Sequence, residues 1–241
     1  MSSTGSSRTF INALAALAAL ACAALCSCAV RPEFGAILFA DDFSSGLENW
    51  QIEAEKPGRI DATTGVLDID VPAGVTLWFK PKLQGPVAIE FEATAVAAGG
   101  SNDQVSDLNV FWMATNPDGA EPVYAAPRSG AFAQYNDLRT YYVGLGGNRN
   151  TTTRFRRYVG DPENRPLLPQ HDLSARSALL MANRRQTITL IANGGSIEFR
   201  RDGQPLLRML DPAPYTSGWF GLRTTWSHLR IQRLRVYRLD E

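Results

Sequence analysis

Cysteine is absent from the sequence after residue 28, and histidine occurs only twice. The three cysteines, Cys22, Cys26 and Cys28, all lie within one apolar run near the N-terminus. The rest of the chain therefore has no intramolecular disulfide, and two scattered histidines make a poor zinc ligand set. A Gly-x-Ser-x-Gly motif is also missing, which disfavours a serine hydrolase of the α/β class.

The sequence also has no net charge and few lysines. The formal net charge is zero, and lysine occurs only at Lys56, Lys80 and Lys82, so nearly all basic residues are arginine. A neutral chain offers no electrostatic case for binding nucleic acid. A GC-rich genome would produce the arginine bias, and so would a site that binds carboxylates through planar guanidinium groups.

The first thirty residues are typical of a secretory signal. Arg8 is their only charged residue, and an alanine-rich apolar run follows it, which leaves a retained transmembrane anchor as the alternative. We predict a signal peptide at 1–28, a short tether at 29–36 and an exported protein.

The end of this segment, Leu25-Cys26-Ser27-Cys28, resembles a bacterial lipoprotein box, in which Cys28 would carry the lipid. Plain signal-peptidase cleavage is the alternative. The protein is expected to be periplasmic, anchored to the outer membrane or extracellular, with membrane contact only through a lipid on Cys28.

Residues 37–241 predict a single all-β domain built as a two-sheet antiparallel sandwich. Val66–Val71 and Pro86–Val96 alternate with a period of two, which indicates half-buried strands, and no segment shows a sustained helical period. Asn193-Gly194 and Asp202-Gly203 indicate hairpin turns. We predict further strands at 37–43, 75–79, 105–115, 139–144, 151–159, 186–192, 196–201, 204–209, 218–224 and 228–239.

Two long proline-containing stretches, 116–137 and 160–171, interrupt this pattern. Loops of that length are usually functional or disordered, and their aromatic and arginine residues favour ordered loops. A turn or two of helix is expected only within 172–181.

Both ends of the domain resemble the concanavalin A-like lectin/glucanase superfamily. The resemblance lies in Ala40-Asp41-Asp42-Phe43 with Gly46 to Trp50, and in segments 201–205, 215–221, 229–231 and 236–239. Segments 105–115, 139–148 and 150–158 are similar to a branch found beside polysaccharide-degrading proteins, including products of rhamnogalacturonan-utilisation clusters. The resemblance implies a jelly roll that binds a polysaccharide or oligosaccharide on the concave face of one sheet.

One motif of that superfamily is incomplete. Its retaining glucanases carry Glu-x-Asp-x-x-Glu on one strand, which sets two carboxylates about 5 Å apart. The nearest match here, Glu90-Phe91-Glu92, lacks the third acid, so ordinary retaining glycosidase chemistry is not expected. As an alternative, both glutamates would pair with Arg154 and Arg156 across neighbouring strands.

The candidate site residues are the polar side chains that alternate away from the predicted core, together with one loop histidine. The predicted catalytic residues are Tyr141, Tyr158, His228 and Glu90. The predicted substrate-binding residues are Asp107, Asn109, Arg139, Arg154, Arg156, Trp226 and His171. Packing or capping roles remain the alternatives for Trp226 and His228.

Two functions fit these residues. A polysaccharide lyase for a uronate-containing glycan needs a cation or amide on the uronate, then a base and an acid. Arg154, Arg156 and Asn109 would clamp the carboxylate, while Tyr141, Tyr158 and His228 would move protons. A glycoside hydrolase with Glu90 or Asp107 as the acid stands beside it.

The alternative is a non-catalytic carbohydrate-binding protein that uses Trp226, Tyr141 and Arg156. In either case we expect a monomer that needs no cofactor. Structural calcium at Asp41, Asp42, Asp68 and Asp70 is an option, since hard cations take carboxylates, but loop-anchoring roles are favoured for these aspartates.

Overall fold

A computed structural model of the chain describes residues 34–63 and 65–240. The predicted signal peptide, Cys28 and most of the predicted tether lie outside these ranges. Within them, no helix is both long enough and apolar enough to cross a membrane.

The first sheet is antiparallel and has eight strands: β1 (Ile37–Asp41), β3 (Arg59–Thr63), β4 (Val66–Val71), β7 (Val87–Ala95), β12 (Gln186–Asn193), β13 (Ser196–Arg201), β14 (Gln204–Leu210) and β16 (Ser227–Arg238). Their spatial order is β14-β13-β12-β7-β16-β4-β3, with β1 paired to β16.

The second sheet is also antiparallel and has eight strands: β2 (Trp50–Ala54), β5 (Val75–Phe79), β6 (Leu83–Gln84), β8 (Leu108–Thr115), β9 (Arg139–Gly146), β10 (Thr152–Val159), β11 (Asp172–Leu173) and β15 (Ser217–Thr224). Their spatial order is β11-β10-β9-β8-β15-β5-β2, with β6 paired to β15. The predicted all-β, two-sheet antiparallel sandwich is confirmed.

Helical structure in the described residues is limited to single turns. Three are 3₁₀ turns, at Phe132–Tyr135, Pro169–His171 and Arg176–Ala178. The fourth, α1 (Gly147–Asn150), follows β9 directly and has left-handed backbone angles. The expected helical turn within 172–181 is thus present as the short segment that ends at buried Ala178.

The main core fills the space between the sheets. Side chains alternate in β4 and β7, so that Leu67, Ile69 and Phe91 are buried while the intervening aspartates and glutamates stay partly exposed. Phe91 of the first sheet meets Phe220 of the second, with ring centroids 5.8 Å apart. Burying large apolar side chains in this layer is the main source of stability.

A second group of aromatic side chains covers part of the outer face of the second sheet. This outer aromatic cluster includes Trp78, Phe111, Tyr135, Tyr142, Tyr158 and Trp219. The loop 116–137 packs over it and is held by Arg128, which donates to the carbonyls of Val123 (2.9 Å) and Gln134 (3.0 Å). These contacts fit the ordered loop that the sequence predicts, and the loop leaves one part of the outer face open.

Candidate functional site

The open part of this face forms a cleft of about 480 Å³, a size typical of small-molecule sites. We call it the arginine cleft. It is lined by Glu55, Asp107, Asn109, Phe132, Tyr142, Gly144, Gly147, Asn148, Thr152, Arg154, Arg156, Tyr158, Arg165, Arg223 and Thr225.

Strand register explains why these residues meet. Facing residues of antiparallel neighbours share one side of a sheet, so a row of pairs crosses all the strands at this level. The row consists of Glu53, Thr76, Arg223, Asn109, Gly144, Arg154 and Asp172. A second row, made of Trp78, Gly221, Phe111, Tyr142 and Arg156, runs beside it.

Guanidinium groups surround the cleft, and three of them have no carboxylate partner among the described residues: Arg156, Arg165 and Arg223. Arg154 differs from these because it forms a two-pronged ion pair with Asp172, in which Nε lies 2.9 Å from Oδ1 and Nη2 lies 3.2 Å from Oδ2. Arg156 donates to the carbonyl of Arg165, and burial lowers its pKa. The cleft therefore carries more guanidinium groups than carboxylates, because Glu55 and Asp107 are the acidic residues of its lining.

Arg223 is the most buried of these cations, with only 3% of its surface exposed. It donates to Thr76 Oγ1 (3.0 Å) and to the Gly130 carbonyl (2.7 Å), and it lies 5.0 Å from the ring centroids of Phe132 and Tyr135. Burial lowers its pKa because the charged form loses hydration. Glu55 and Asp107 favour its charged form but make no ion pair with it, so its desolvation remains costly, and an anionic ligand would offset that cost.

Two polar groups converge over Gly144 in the middle of the cleft. A Cβ atom at this position would lie 2.7 Å from the Tyr142 hydroxyl and 3.1 Å from Asn109 Oδ1. Neither atom has a hydrogen-bond partner in the described part of the chain, and Asn109 Oδ1 is fully buried. Asn109 Nδ2 in turn donates to Asp107 Oδ1 at 3.4 Å. Orphaned polar atoms in a cleft mark a place where a ligand can complete the hydrogen bonding.

Asp107 and Tyr142 are both protonated more readily than usual. Burial raises the pKa of the Asp107 carboxyl, although hydrogen bonds from Ser106 and Asn109 act against it. Burial also raises the pKa of Tyr142, and Tyr158 and Asp107 add to that effect. A carboxyl group with a raised pKa is suited to exchanging protons near neutral pH, whereas the Tyr142 phenol stays neutral and can donate a hydrogen bond.

Residues 69–234 match the family described as a domain of unknown function (DUF6250), and they make up more than half of the chain. The chain belongs to this family. None of the curated proteins matches it significantly.

Solved structures resemble the DUF6250 chain in fold. A Bacillus subtilis protein of unknown function with a galectin-like fold has a TM-score of 0.67 and 17% identity, over 86% of this chain and 97% of that one. An endo-β-1,3-glucanase from Pyrococcus furiosus has a TM-score of 0.57 and 8% identity, over 85% of this chain and 95% of that one.

The carbohydrate-binding module CBM66 from Bacillus subtilis has a TM-score of 0.53 and 9% identity, over 79% of this chain and 96% of that one. At these identities the likeness shows the fold alone, and it supports the concanavalin A-like jelly roll that the sequence resemblance implied.

Five predicted site residues of the DUF6250 chain do lie in the cleft: Asp107, Asn109, Arg154, Arg156 and Tyr158. Tyr158 is the deepest of them. Its hydroxyl is buried without a hydrogen-bond partner among the described residues, and the guanidinium of Arg165 lies 5.7 Å from its ring centroid. Burial raises its pKa, while Arg165 and Arg156 oppose the rise.

The prediction that Tyr141 faces the groove is wrong. Its ring is fully buried in the core between the sheets, next to Trp112, and its hydroxyl donates to Asp211 Oδ2 at 2.7 Å. The groove is faced instead by its neighbour Tyr142, since successive residues of a strand point to opposite faces. Arg139, at the start of β9, is exposed and does not line the cleft.

Glu90 and His228 belong to the first sheet and are therefore remote from the cleft. Glu90 accepts a long hydrogen bond from Thr189 Oγ1 (3.5 Å). The predicted pairing of Glu90 and Glu92 with Arg154 and Arg156 is also wrong, because Glu92 pairs with Arg233 (3.1 Å) and with Arg185 (3.4 Å).

His228 is held between two aspartates, with Nε2 2.9 Å from Asp68 and Nδ1 2.8 Å from Asp103. This geometry fits a structural ion-pair network. His171 is also buried, with its ring 5.1 Å from that of core residue Phe155 and its Nε2 2.8 Å from the Arg208 carbonyl, so it does not serve as a loop lid.

The aspartates considered for calcium have protein partners. Asp41 accepts from the Trp50 indole (2.9 Å) and from the Phe43 amide (2.8 Å), while Asp68 and Asp70 both lie near Arg59. In the described ranges no three His, Cys, Asp or Glu side chains are grouped as a metal site would require.

Sequence reasoning missed Tyr142, Arg165, Arg223, Glu55 and Gly144. Tyr142 had a signal, because the pair Tyr141-Tyr142 offers one tyrosine to each face of the strand. The others follow only from the register of strands that are distant in the chain, or from the course of the two long loops.

Proposed function

We propose that the arginine cleft binds a uronate-containing glycan and cleaves it by β-elimination. The observation that carries this proposal is the excess of cations: Arg156, Arg165 and Arg223 line the cleft without forming an ion pair in the described chain, and Glu55 and Asp107 are the carboxylates beside them. Guanidinium groups bind carboxylates in a planar, two-pronged manner, so the cleft suits a sugar acid better than a neutral sugar.

Three further observations support a glycan as the ligand. The solved structures with this fold include an endo-β-1,3-glucanase and a carbohydrate-binding module. Segments 105–115, 139–148 and 150–158 resemble a branch associated with rhamnogalacturonan degradation, and all three contribute residues to the cleft. The segment 1–28 predicts export, which would bring the protein to an extracellular polymer.

Each step of the reaction has a candidate residue. Arg156 and the second hydrogen of Asn109 Nδ2 would hold the uronate carboxylate and so make the neighbouring C5 proton more acidic. Asp107 would take that proton, the C4–O bond would break with formation of a C4–C5 double bond, and Tyr142 would donate its proton to the leaving oxygen. The raised pKa of Asp107 suits its role because the carboxylate gains basicity, while Tyr142 stays protonated and so keeps a proton to donate, although its raised pKa makes it a weaker acid.

The test is to incubate the protein with polygalacturonate, rhamnogalacturonan and a neutral β-glucan, and to follow ultraviolet absorbance and reducing ends together. We expect both signals to rise with an acidic polymer only, because elimination creates an unsaturated uronate at each new end. Tyr142→Phe and Asp107→Asn should lower the rate by about 10²–10⁴-fold, the usual contribution of a general acid or base.

Matched controls come from the first sheet. Tyr237→Phe, Glu90→Gln and Arg233→Gln make the same chemical changes as Tyr142→Phe, Asp107→Asn and Arg156→Gln, but away from the cleft. The controls should keep the rate of the unchanged protein. If cleft variants and controls behave alike, the chemistry lies elsewhere.

A hydrolase is the second candidate, because Glu55 also lines the cleft and would supply the second carboxylate beside Asp107. Reducing ends without the absorbance change would favour it. Binding without either signal would favour the non-catalytic carbohydrate-binding protein.

A further inference from the structure

One tryptophan is exposed at the mouth of the arginine cleft. Trp226 keeps 43% of its surface exposed, whereas Trp50, Trp78, Trp112 and Trp219 are all buried. It follows Thr225, which lines the cleft, in the turn between β15 and β16. Its φ of 41° lies in the left-handed region, which a bulky residue adopts only when its surroundings impose it.

The facing wall of the mouth has an equally unusual backbone. Asn148, Arg149 and Asn150 in α1 have φ values of 53°, 57° and 59°, a left-handed turn of three consecutive non-glycine residues. Left-handed residues normally occur singly, and such strain is concentrated at functional sites. The turn is fixed by Asn150, whose side chain accepts from the Leu180 amide (2.9 Å) and donates to the Leu180 carbonyl (3.0 Å).

The two strained segments meet at their side chains. The guanidinium of Arg149 lies 5.9 Å from the centroid of the Trp226 ring, within the range of a cation–π contact. Arg149 is exposed and has no acidic partner among the described residues. Asn148, the first left-handed residue of the same turn, lines the cleft itself. An aromatic surface and a cation without an acidic partner in the described residues therefore lie together beside the cleft.

We propose that Trp226 and Arg149 form a second subsite for the next acidic sugar unit of the same glycan chain. This inference rests on the proposed function and extends it, because it makes the ligand an oligomer or polymer rather than a single sugar acid. The apolar face of a sugar ring would pack against the indole, and its carboxylate would meet the guanidinium of Arg149.

The test is calorimetric binding of galacturonate oligosaccharides of increasing length, from the monosaccharide to the tetrasaccharide. The affinity of the unchanged protein should rise between one unit and longer chains. Trp226→Ala should remove about two- to fivefold of that rise, the effect of one aromatic contact at an exposed site, and should leave monosaccharide binding unchanged. Trp226→Tyr should restore most of it, while Leu210→Ala, which alters an exposed residue of β14, should change nothing.

Two further readouts address the two side chains separately. Arg149→Gln should weaken binding of acidic oligosaccharides but not of their methyl esters. Because Trp226 is the exposed tryptophan, acrylamide should quench mainly its fluorescence, and the longer oligosaccharides should protect that emission while the monosaccharide does not.

The possible failures are distinguishable. Length-dependent affinity that persists in Trp226→Ala, or binding without protection of the fluorescence, would overturn the second subsite and leave the cleft proposal intact. Absence of binding for every acidic oligosaccharide in the unchanged protein would overturn the proposed ligand, and the second subsite with it.

Discussion

Tyr141 and Tyr142 are neighbours in β9 with opposite environments, and replacing each by Phe should separate stability from activity. The Tyr141 hydroxyl donates to Asp211 Oδ2 (2.7 Å) and accepts from the Tyr215 amide (3.0 Å). The Tyr142 hydroxyl has no partner in the described residues and faces the cleft. Tyr141→Phe should therefore destabilise the fold, whereas Tyr142→Phe should reduce catalysis.

The magnitude for Tyr141→Phe follows from its two hydrogen bonds. A hydrogen bond to a charged acceptor contributes about 1.5–3 kcal/mol, and an amide left unpaired costs about 1–3 kcal/mol. Asp211 retains Arg157 (2.6 Å) and the Ala213 amide (2.9 Å), which reduces the loss. We expect the free energy of unfolding to fall by about 2 kcal/mol, a factor of roughly 30 in the folding equilibrium. For Tyr142→Phe we expect a change of less than about 0.5 kcal/mol.

Urea unfolding followed by tryptophan fluorescence measures this difference. With an m-value of about 2–3 kcal/mol/M, Tyr141→Phe should lower the midpoint by about 0.7–1 M without changing m. Cleavage per folded molecule should stay normal in Tyr141→Phe and fall in Tyr142→Phe. If Tyr141→Phe kept its midpoint but lost cleavage, the assignment of the two tyrosines to opposite faces would be refuted.

Three further predictions concern the cleft and the opposite sheet. Gly144→Ala should abolish most of the activity measured as kcat/KM, because the new Cβ would lie 2.7 Å from the Tyr142 hydroxyl, while the urea midpoint changes little. His228→Gln should lower the free energy of unfolding by about 2 kcal/mol and leave cleavage unchanged, because it breaks the hydrogen bonds of both ring nitrogens, to Asp68 on the first sheet and to Asp103. Hydrogen bonds from the Gly100 and Ala98 amides, and from His228, lower the pKa of Asp103 to about 2. Because the folded pKa lies below the unfolded value, its stabilisation is complete above about pH 4 and lost as pH falls towards about 2. Urea midpoints measured across that interval should depend less on pH in Asp103→Asn.

The strands were predictable where one face is buried and the other is exposed to solvent. Val66–Val71 and Ser196–Arg201 have the predicted bounds because their burial alternates. The edge strands Trp50–Ala54 and Arg59–Thr63 were missed. A strand with one neighbour lacks a long apolar pattern, so its position depends on pairing with distant residues.

The site was harder to predict for a related reason. Both faces of β9 are buried, one in the core and the other under the outer aromatic cluster, so an alternating pattern cannot separate Tyr141 from Tyr142. In β8 and β10 the face assignments were right, and Asn109 and Arg156 point into the cleft. The error for Glu90 has another source, because a strand's own sequence does not state which sheet it joins.

The outer faces of the two sheets differ more in how their charged side chains are paired than in how many charged side chains they carry. Both sheets carry arginines and acids, so composition alone gives each an equal claim to the site. On the first sheet Glu92 is committed to Arg233, and Asp68 to Arg230, each at 3.1 Å. On the second sheet Arg156 and Arg223 are partly or fully desolvated and have no such partner in the described chain.

A fold selected only for stability would pair these cations or replace them, since each desolvated charge has a cost. Their retention beside an orphaned acceptor, Asn109 Oδ1, is expected if the ligand is an acidic glycan, because its carboxylate would pair with the cations and its hydroxyl groups would donate to the acceptor. The same reasoning explains why Arg154, with Asp172 as its partner, is the cleft arginine whose loss should weaken ligand binding least.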